Sequence, residues 1–123
     1  MRDHTKLRAF ELADELAILI YRITKVFPRE EIYGLTSQMR RAAVSVASNI
    51  VEGCARESQC EYLRFLEIAF GSLRELHYQF GLSNRLGYLC EQDIPACEHK
   101  FVESEKVLGA LIRSKHPDRK EGS

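Results

Sequence analysis

The sequence predicts an all-α protein, an up-down-up-down antiparallel four-helix bundle. Three observations carry that prediction. Apolar residues recur at spacings of three and four along almost the whole chain, the period that lays one stripe along a helix. Proline and glycine cluster at a few places and divide the chain into four such segments. No stretch alternates with period two for long enough to make a strand. Four amphipathic helices joined by short loops bury their stripes against one another as a bundle.

The first segment carries Phe10, Ala13, Ala17, Ile20, Thr24 and Phe27 on one stripe, widened by Leu12, Leu16, Leu19, Ile23 and Val26. That spacing predicts a helix of about 20 residues, ~30 Å long, stopping at Pro28. The loop PREEIYG follows, with Gly34 able to take a positive φ. Thr36 is the candidate N-cap of the second helix, which runs to about Glu52, and Gly53 marks its end or a bend. Ser58 followed by Glu61 has the capping-box pattern and opens the longest helix. Its seam is Tyr62, Leu66, Ala69, Leu73, Leu76 and Phe80, with Leu63, Phe70 and His77 beside it. Gly87 fits its C-terminal cap. The fourth helix begins near CEQDIP, where Glu91, Gln92 and Asp93 suit the positive end of a helix dipole. Ile94, Cys97, Phe101, Ser104, Leu108 and Leu111 form its seam. The bundle is assigned to residues 1–114, and the polar tail 115–123 is expected to be disordered.

At 123 residues the chain makes one domain, long enough to bury roughly two-thirds of its unfolded surface. Eighteen basic residues balance eighteen acidic ones, which argues against a general nucleic-acid binder with a basic footprint. No apolar run approaches the ~20 residues of a membrane span, and the charged N-terminus is not a secretory signal. A cytoplasmic protein is expected. Cys54, Cys60, Cys90 and Cys97 fit neither a zinc pair nor a redox motif by spacing, and read as small buried hydrophobes.

The second helix holds the unusual stretch RRAAVSVASNIVEG, residues 40–53. At about 100° per residue, Arg41, Ser45, Ser48, Asn49 and Glu52 share one arc about 100° wide. Alanine, valine, methionine and isoleucine cover most of the remainder, interrupted by Arg40. That apolar arc is wider than a bundle-edge helix needs, and the polar arc is short-chained where a solvated face would carry lysine and glutamate. A tightly packed internal helix, a subunit interface, and a ligand or nucleic-acid site all remain open for it. Burial of this arc would require Arg41 and Glu52 to find partners. Arg56, Arg64, Arg74 and Arg85 recur along the third helix and its approach, but Glu57, Glu61, Glu67 and Glu75 are interleaved, the pattern of a solvated, ion-paired face.

The chemical motifs are absent from the sequence. A di-iron site in a bundle needs Glu-x-x-His pairs; Arg74, Ala96 and Arg113 stand three before His77, His99 and His116, and His4 precedes the first helix. A helical RNase of the HEPN type would show Arg, four to six residues, then His; Arg74 to His77 and Arg113 to His116 are too close. No phosphate-binding glycine loop and no nucleophile elbow occur. His77 beside an apolar seam reads as a packed or rim histidine rather than a general base. The sequence therefore implies no catalytic residue, cofactor or metal, and the expectation is a non-enzymatic module.

FPREEIYGLTSQMRRAAVSVASNIVEGCARES, then EYLRFLEIAFGSLRELHYQF and RLGYL, closely resembles the bacterial four-helix-bundle family named for proteins encoded by intervening sequences in 23S rRNA genes. The Y-G-L-T-S-Q, R-R-A, S-N-I-x-E-G and G-S-L-x-E-L elements occur in the same order and spacing, and the resemblance covers about residues 7–113. It implies an up-down bundle assembled as a ring-like homopentamer, and together with the wide apolar arc of the second helix it leads to the expectation of a scaffold or adaptor for a partner. It also brings in the accessory protein of diversity-generating retroelements, a relative that binds nucleic acid and a reverse transcriptase. On that comparison the alternative is RNA or DNA binding through Arg40, Arg41, Arg56, Arg64, Arg74 and Arg85.

Overall fold

The computed structural model describes residues 2–116, and within them the chain forms four helices: α1 (Arg8–Ile23), α2 (Leu35–Cys54), α3 (Gln59–Arg85) and α4 (Ile94–Lys115). Short 3-10 turns sit at His4–Lys6, Thr24–Val26, Arg29–Glu31 and Glu91–Asp93. α1 packs on α2 and α4, and α3 packs on the same two, so sequence neighbours are spatial neighbours and α4 closes the square against α1. The all-α, up-down four-helix bundle is the observed fold. The expected polar tail, residues 115–123, lies outside the described residues except for Lys115, which ends α4, and His116.

The core is a column of large side chains. Leu12, Leu16 and Ile20 of α1 meet Met39 and Ile50 of α2, Tyr62, Leu66, Leu73, Leu76 and Phe80 of α3, and Phe101 and Leu108 of α4. Each such side chain contributes roughly 1.5–3 kcal/mol by leaving water. The α3 seam is buried at every expected position. From the α1 stripe Ala13, Ile20, Thr24 and Phe27 are buried as expected, together with Leu12, Leu16 and Ile23 that widen it, whereas Phe10 and Ala17 are only half-buried and Val26 is 61% exposed.

Four local expectations are corrected. α1 ends at Ile23, not Phe27, and the chain tightens to a 3-10 turn. There the Thr24 hydroxyl donates back to the Ile20 carbonyl at 2.7 Å, competing with helical propagation. Gly34 has φ −114°, not a positive value. Thr36 lies inside α2, buried, and is not its cap; instead the Glu31 carboxylate, held one turn back, accepts the Leu35 amide at 3.0 Å. Gly53 is not the last residue of α2, which runs one residue further to Cys54. A Cβ there would lie 2.9 Å from Phe65 Cβ and 3.3 Å from the Tyr62 carbonyl oxygen, so glycine is what lets α2 and α3 approach.

Two other ends form as expected. Ser58 Oγ accepts the Glu61 amide at 3.1 Å and caps α3. At the far end Gly87 takes φ +77°, with Tyr88 N–H donating to the Ser83 carbonyl and Gly87 N–H to the Asn84 carbonyl, each 3.0 Å. That pair of bonds is a Schellman motif, which needs the left-handed conformation glycine adopts without strain.

Candidate functional site: the exposed side of α2 and the α3–α4 seam

The five residues of the polar arc on α2 divide between two environments. Ser45 and Asn49 turn toward α3. Ser45 Oγ lies 2.9 Å from Ser72 Oγ, and Asn49 Nδ2 donates to the Ser45 carbonyl at 2.8 Å and to its hydroxyl at 3.0 Å. These short side chains satisfy one another inside a close helix–helix contact. Arg41, Ser48 and Glu52 face outward and are exposed. Neither Arg41 nor Glu52 is buried in the single chain, and neither makes an ion pair among the described residues. Two neighbours, α1 and α3, account for most of the wide apolar arc. What remains outward is short-chained, with Val44 43% exposed.

The six arginines do not converge on one surface. Arg40 turns to α1: its Nε donates to Thr24 Oγ1 at 2.9 Å, an Nη to the Tyr21 carbonyl at 3.3 Å, and the guanidinium lies 4.8 Å from the Tyr21 ring centroid. Arg74 sits on the opposite seam, 3.4 Å from Glu105 of α4. Arg56 lies over Phe65, and Arg85 over Tyr78 while bonding the Gly81 carbonyl of its own helix. Arg64 is exposed. The interleaved glutamates do not neutralise these arginines. Arg74 pairs across to α4, and Glu67 contacts His116 at 3.2 Å.

Sequence reading missed the most polar contact in the seam between α3 and α4. His77, stacked on Phe101 at 4.5 Å and 3°, places Nδ1 2.7 Å from Glu105 and Nε2 3.2 Å from Glu98. Burial, the largest single influence, pushes the ring's pKa down, but the two carboxylates together outweigh it, and the net shift is upward. With a carboxylate at each nitrogen the ring is held in a structural contact that favours its protonated form, and neither nitrogen is left free to act as a base. The signal was present as Glu98 and Glu105, seven apart on α4, but it becomes readable only once α3 and α4 are in register.

The cysteines also divide. Cys54 and Cys97 are buried, whereas Cys60 and Cys90 are exposed, contrary to the expectation that all four pack inside.

The family model for the 23S rRNA-intervening sequence protein matches residues 5–110. The chain belongs to that family. The matched span takes in the α2 face, the His77 contact and all six arginines. A solved structure from Bacteroides thetaiotaomicron VPI-5482, described as a protein of unknown function from the S23 ribosomal protein family, is similar at 21% identity. The likeness covers 85% of this chain and 95% of that one, with a TM-score of 0.75. At that identity the similarity speaks for the fold. A search of curated proteins finds no match. No helix among the described residues is long and apolar enough to cross a membrane.

Proposed function

We propose that this member of the 23S rRNA-intervening sequence family is a non-enzymatic, homo-oligomeric helical module, a ring-like pentamer by family resemblance, that acts as a scaffold or adaptor. One observation carries the reading: the outward side of α2. Arg41, Val44, Ser48 and Glu52 present short or unpaired side chains to solvent. The flanks carry further apolar surface. Tyr21 of α1 is 43% exposed and Ile18, one turn before it, 50%; on α3, Ile68, one turn before the Ser72 that meets α2, is 43% exposed. Short side chains let a second backbone come close, and Arg41 and Glu52 supply complementary charges that a neighbouring copy satisfies. Exposed apolar residues grouped on one face mark association surfaces.

The test is the mass of the native protein by light scattering after size exclusion at micromolar concentration. The proposal expects a multiple of the 14.2 kDa chain, with Val44→Glu reverting to single chains of unchanged helical circular dichroism. A single-chain mass for the native protein overturns it.

A further inference from the structure

The end of the bundle where α1 runs into α2 gathers four cationic side chains. Two clefts of about 340 Å³ each meet there, one lined by Lys25, Arg29 and Arg40, the other by Arg40 and Arg41. No carboxylate lines either cleft. In a chain of zero net charge this is a local imbalance, and it is not neutralised from the side. Lys25, Arg29 and Arg41 make no ion pair among the described residues, a state they share with Arg56, Arg64 and Arg85, and Glu30, beside Arg29 in sequence, lines neither cleft. Arg40 is held in place by uncharged acceptors, the Thr24 hydroxyl and the Tyr21 carbonyl. Its position is therefore fixed while its charge stays uncompensated. Glu31, close by in sequence, is turned to other work: one oxygen accepts the Leu35 amide and the other the Tyr88 hydroxyl at 2.9 Å.

A second, independent observation points to a ligand. Thr36 is only 6% exposed, lines both clefts, and its hydroxyl has no hydrogen-bond partner among the described residues. The residue is buried while its hydroxyl opens on the clefts, a donor and acceptor held in place for whatever enters them. Thr36 and Ser37 also stand in the first turn of α2, where main-chain amides have no intrahelical acceptor and the helix dipole is positive.

We propose that this groove binds linked phosphates. Guanidinium forks, a lysine, a hydroxyl and first-turn amides are together the donor set that surrounds a multiply charged phosphate. Two clefts sharing Arg40 and Thr36 suit two neighbouring phosphates, either the pyrophosphate of a small ligand or successive phosphodiesters of a single strand. The site lies apart from the spread of arginines along α3 and includes Lys25 and Arg29, which the sequence pattern did not single out.

The test titrates the full chain with sodium pyrophosphate at low salt, reading amide shifts by NMR. A parallel titration with a single-stranded oligonucleotide follows fluorescence anisotropy. The expected result is saturable movement of the Thr36 and Ser37 amides. Arg29→Gln and Thr36→Val should each weaken binding about tenfold, the scale of one lost charged or buried donor. Thr36→Val should do so without lowering the melting temperature. Pyrophosphate binding without oligonucleotide binding assigns a small ligand. Oligonucleotide binding that pyrophosphate displaces, and that weakens steeply with salt, assigns a strand. Absence of saturable amide shifts with pyrophosphate together with absence of a saturable anisotropy change with the oligonucleotide, or affinity unchanged in Arg29→Gln and Lys25→Gln, overturns the proposal. Lys25 and Arg29 lie outside α2, so these variants leave its outward face intact. Light scattering on the same samples separates failure of the groove from failure of assembly.

Discussion

Gly53 and Gly71 both sit inside long helices, so replacing either by alanine brings the same gain in helix propensity, roughly 1 kcal/mol. Their surroundings give opposite signs to the outcome. A Cβ at Gly71 meets nothing within 4 Å. Gly71→Ala should therefore stabilise by most of that ~1 kcal/mol, a rise of roughly 4 °C in melting temperature for a domain of this size. At Gly53 the new atom would lie 2.9 Å from Phe65 Cβ, 3.3 Å from the Tyr62 carbonyl oxygen and 3.4 Å from Tyr62 Cδ1. Phe65 Cβ is fixed to the α3 backbone and cannot swing away, so relief requires α2 and α3 to part. Overpacking of this kind costs roughly 1–3 kcal/mol, and with two backbone-anchored contacts it outweighs the propensity gain. Gly53→Ala should lose about 1–2 kcal/mol, a fall of roughly 4–8 °C. Phe65→Ala should not rescue it, because the obstructing Cβ remains. Urea denaturation followed by far-ultraviolet circular dichroism, at one protein concentration for all variants, measures the difference. If Gly53→Ala proves as stabilising as Gly71→Ala, the close approach of the two helices is not what the glycine serves.

Two further outcomes follow from the seams. His77 has a raised pKa because two carboxylates outweigh the effect of burial. Its stabilising contribution is complete below the unfolded-state value of about 6.5 and is lost as pH rises through the higher folded value. The gap in urea midpoint between the native protein and His77→Gln should narrow from about pH 6 to about pH 9; a constant gap refutes the ion-pair account. Among the thiols, Cys60 and Cys90 should react at once with an aromatic disulfide reagent. Cys54 and Cys97 are buried, and burial pushes the Cys97 thiol up to about 11. These two should react only on unfolding, and a fast third thiol would contradict their burial.

What the sequence shows of this fold follows how local each determinant is. The α3 seam was readable because one narrow stripe offers a single choice. The same holds for the Ser58 cap and for Gly87, where the partners lie within five residues. On α1 the apolar arc is wide enough for several stripes, and only contact with α2 and α4 selects Leu12 and Leu16 over Phe10 and Ala17. Glu31 displaced Thr36 as the α2 cap because the path of the loop, invisible in the residue pattern, carries its carboxylate back to Leu35. The candidate site was less readable still. Arg41 and Glu52 were placed by a wheel that has no neighbours in it, and α1 and α3 turned out to absorb the apolar surface and leave both charges outside. Ser45 finds Ser72 27 residues away, and His77 finds Glu98 and Glu105 at separations of 21 and 28. Such pairings depend on the register between helices, which no single-helix pattern encodes.

The contact of Gly53 with Phe65 and of Ser45 with Ser72 makes the bundle mechanically uneven. Across α2 and α3 the spacing is set by backbone-anchored atoms and by short hydroxyls with little reach through which to yield. Between α3 and α4 it is set by His77, Arg74 and glutamates, whose charged ends can be exchanged for water. The molecule is thus a stiff pair of helices carrying a more compliant fourth. On this account breathing of the bundle opens along the α4 side and leaves the geometry of the α2 face undisturbed.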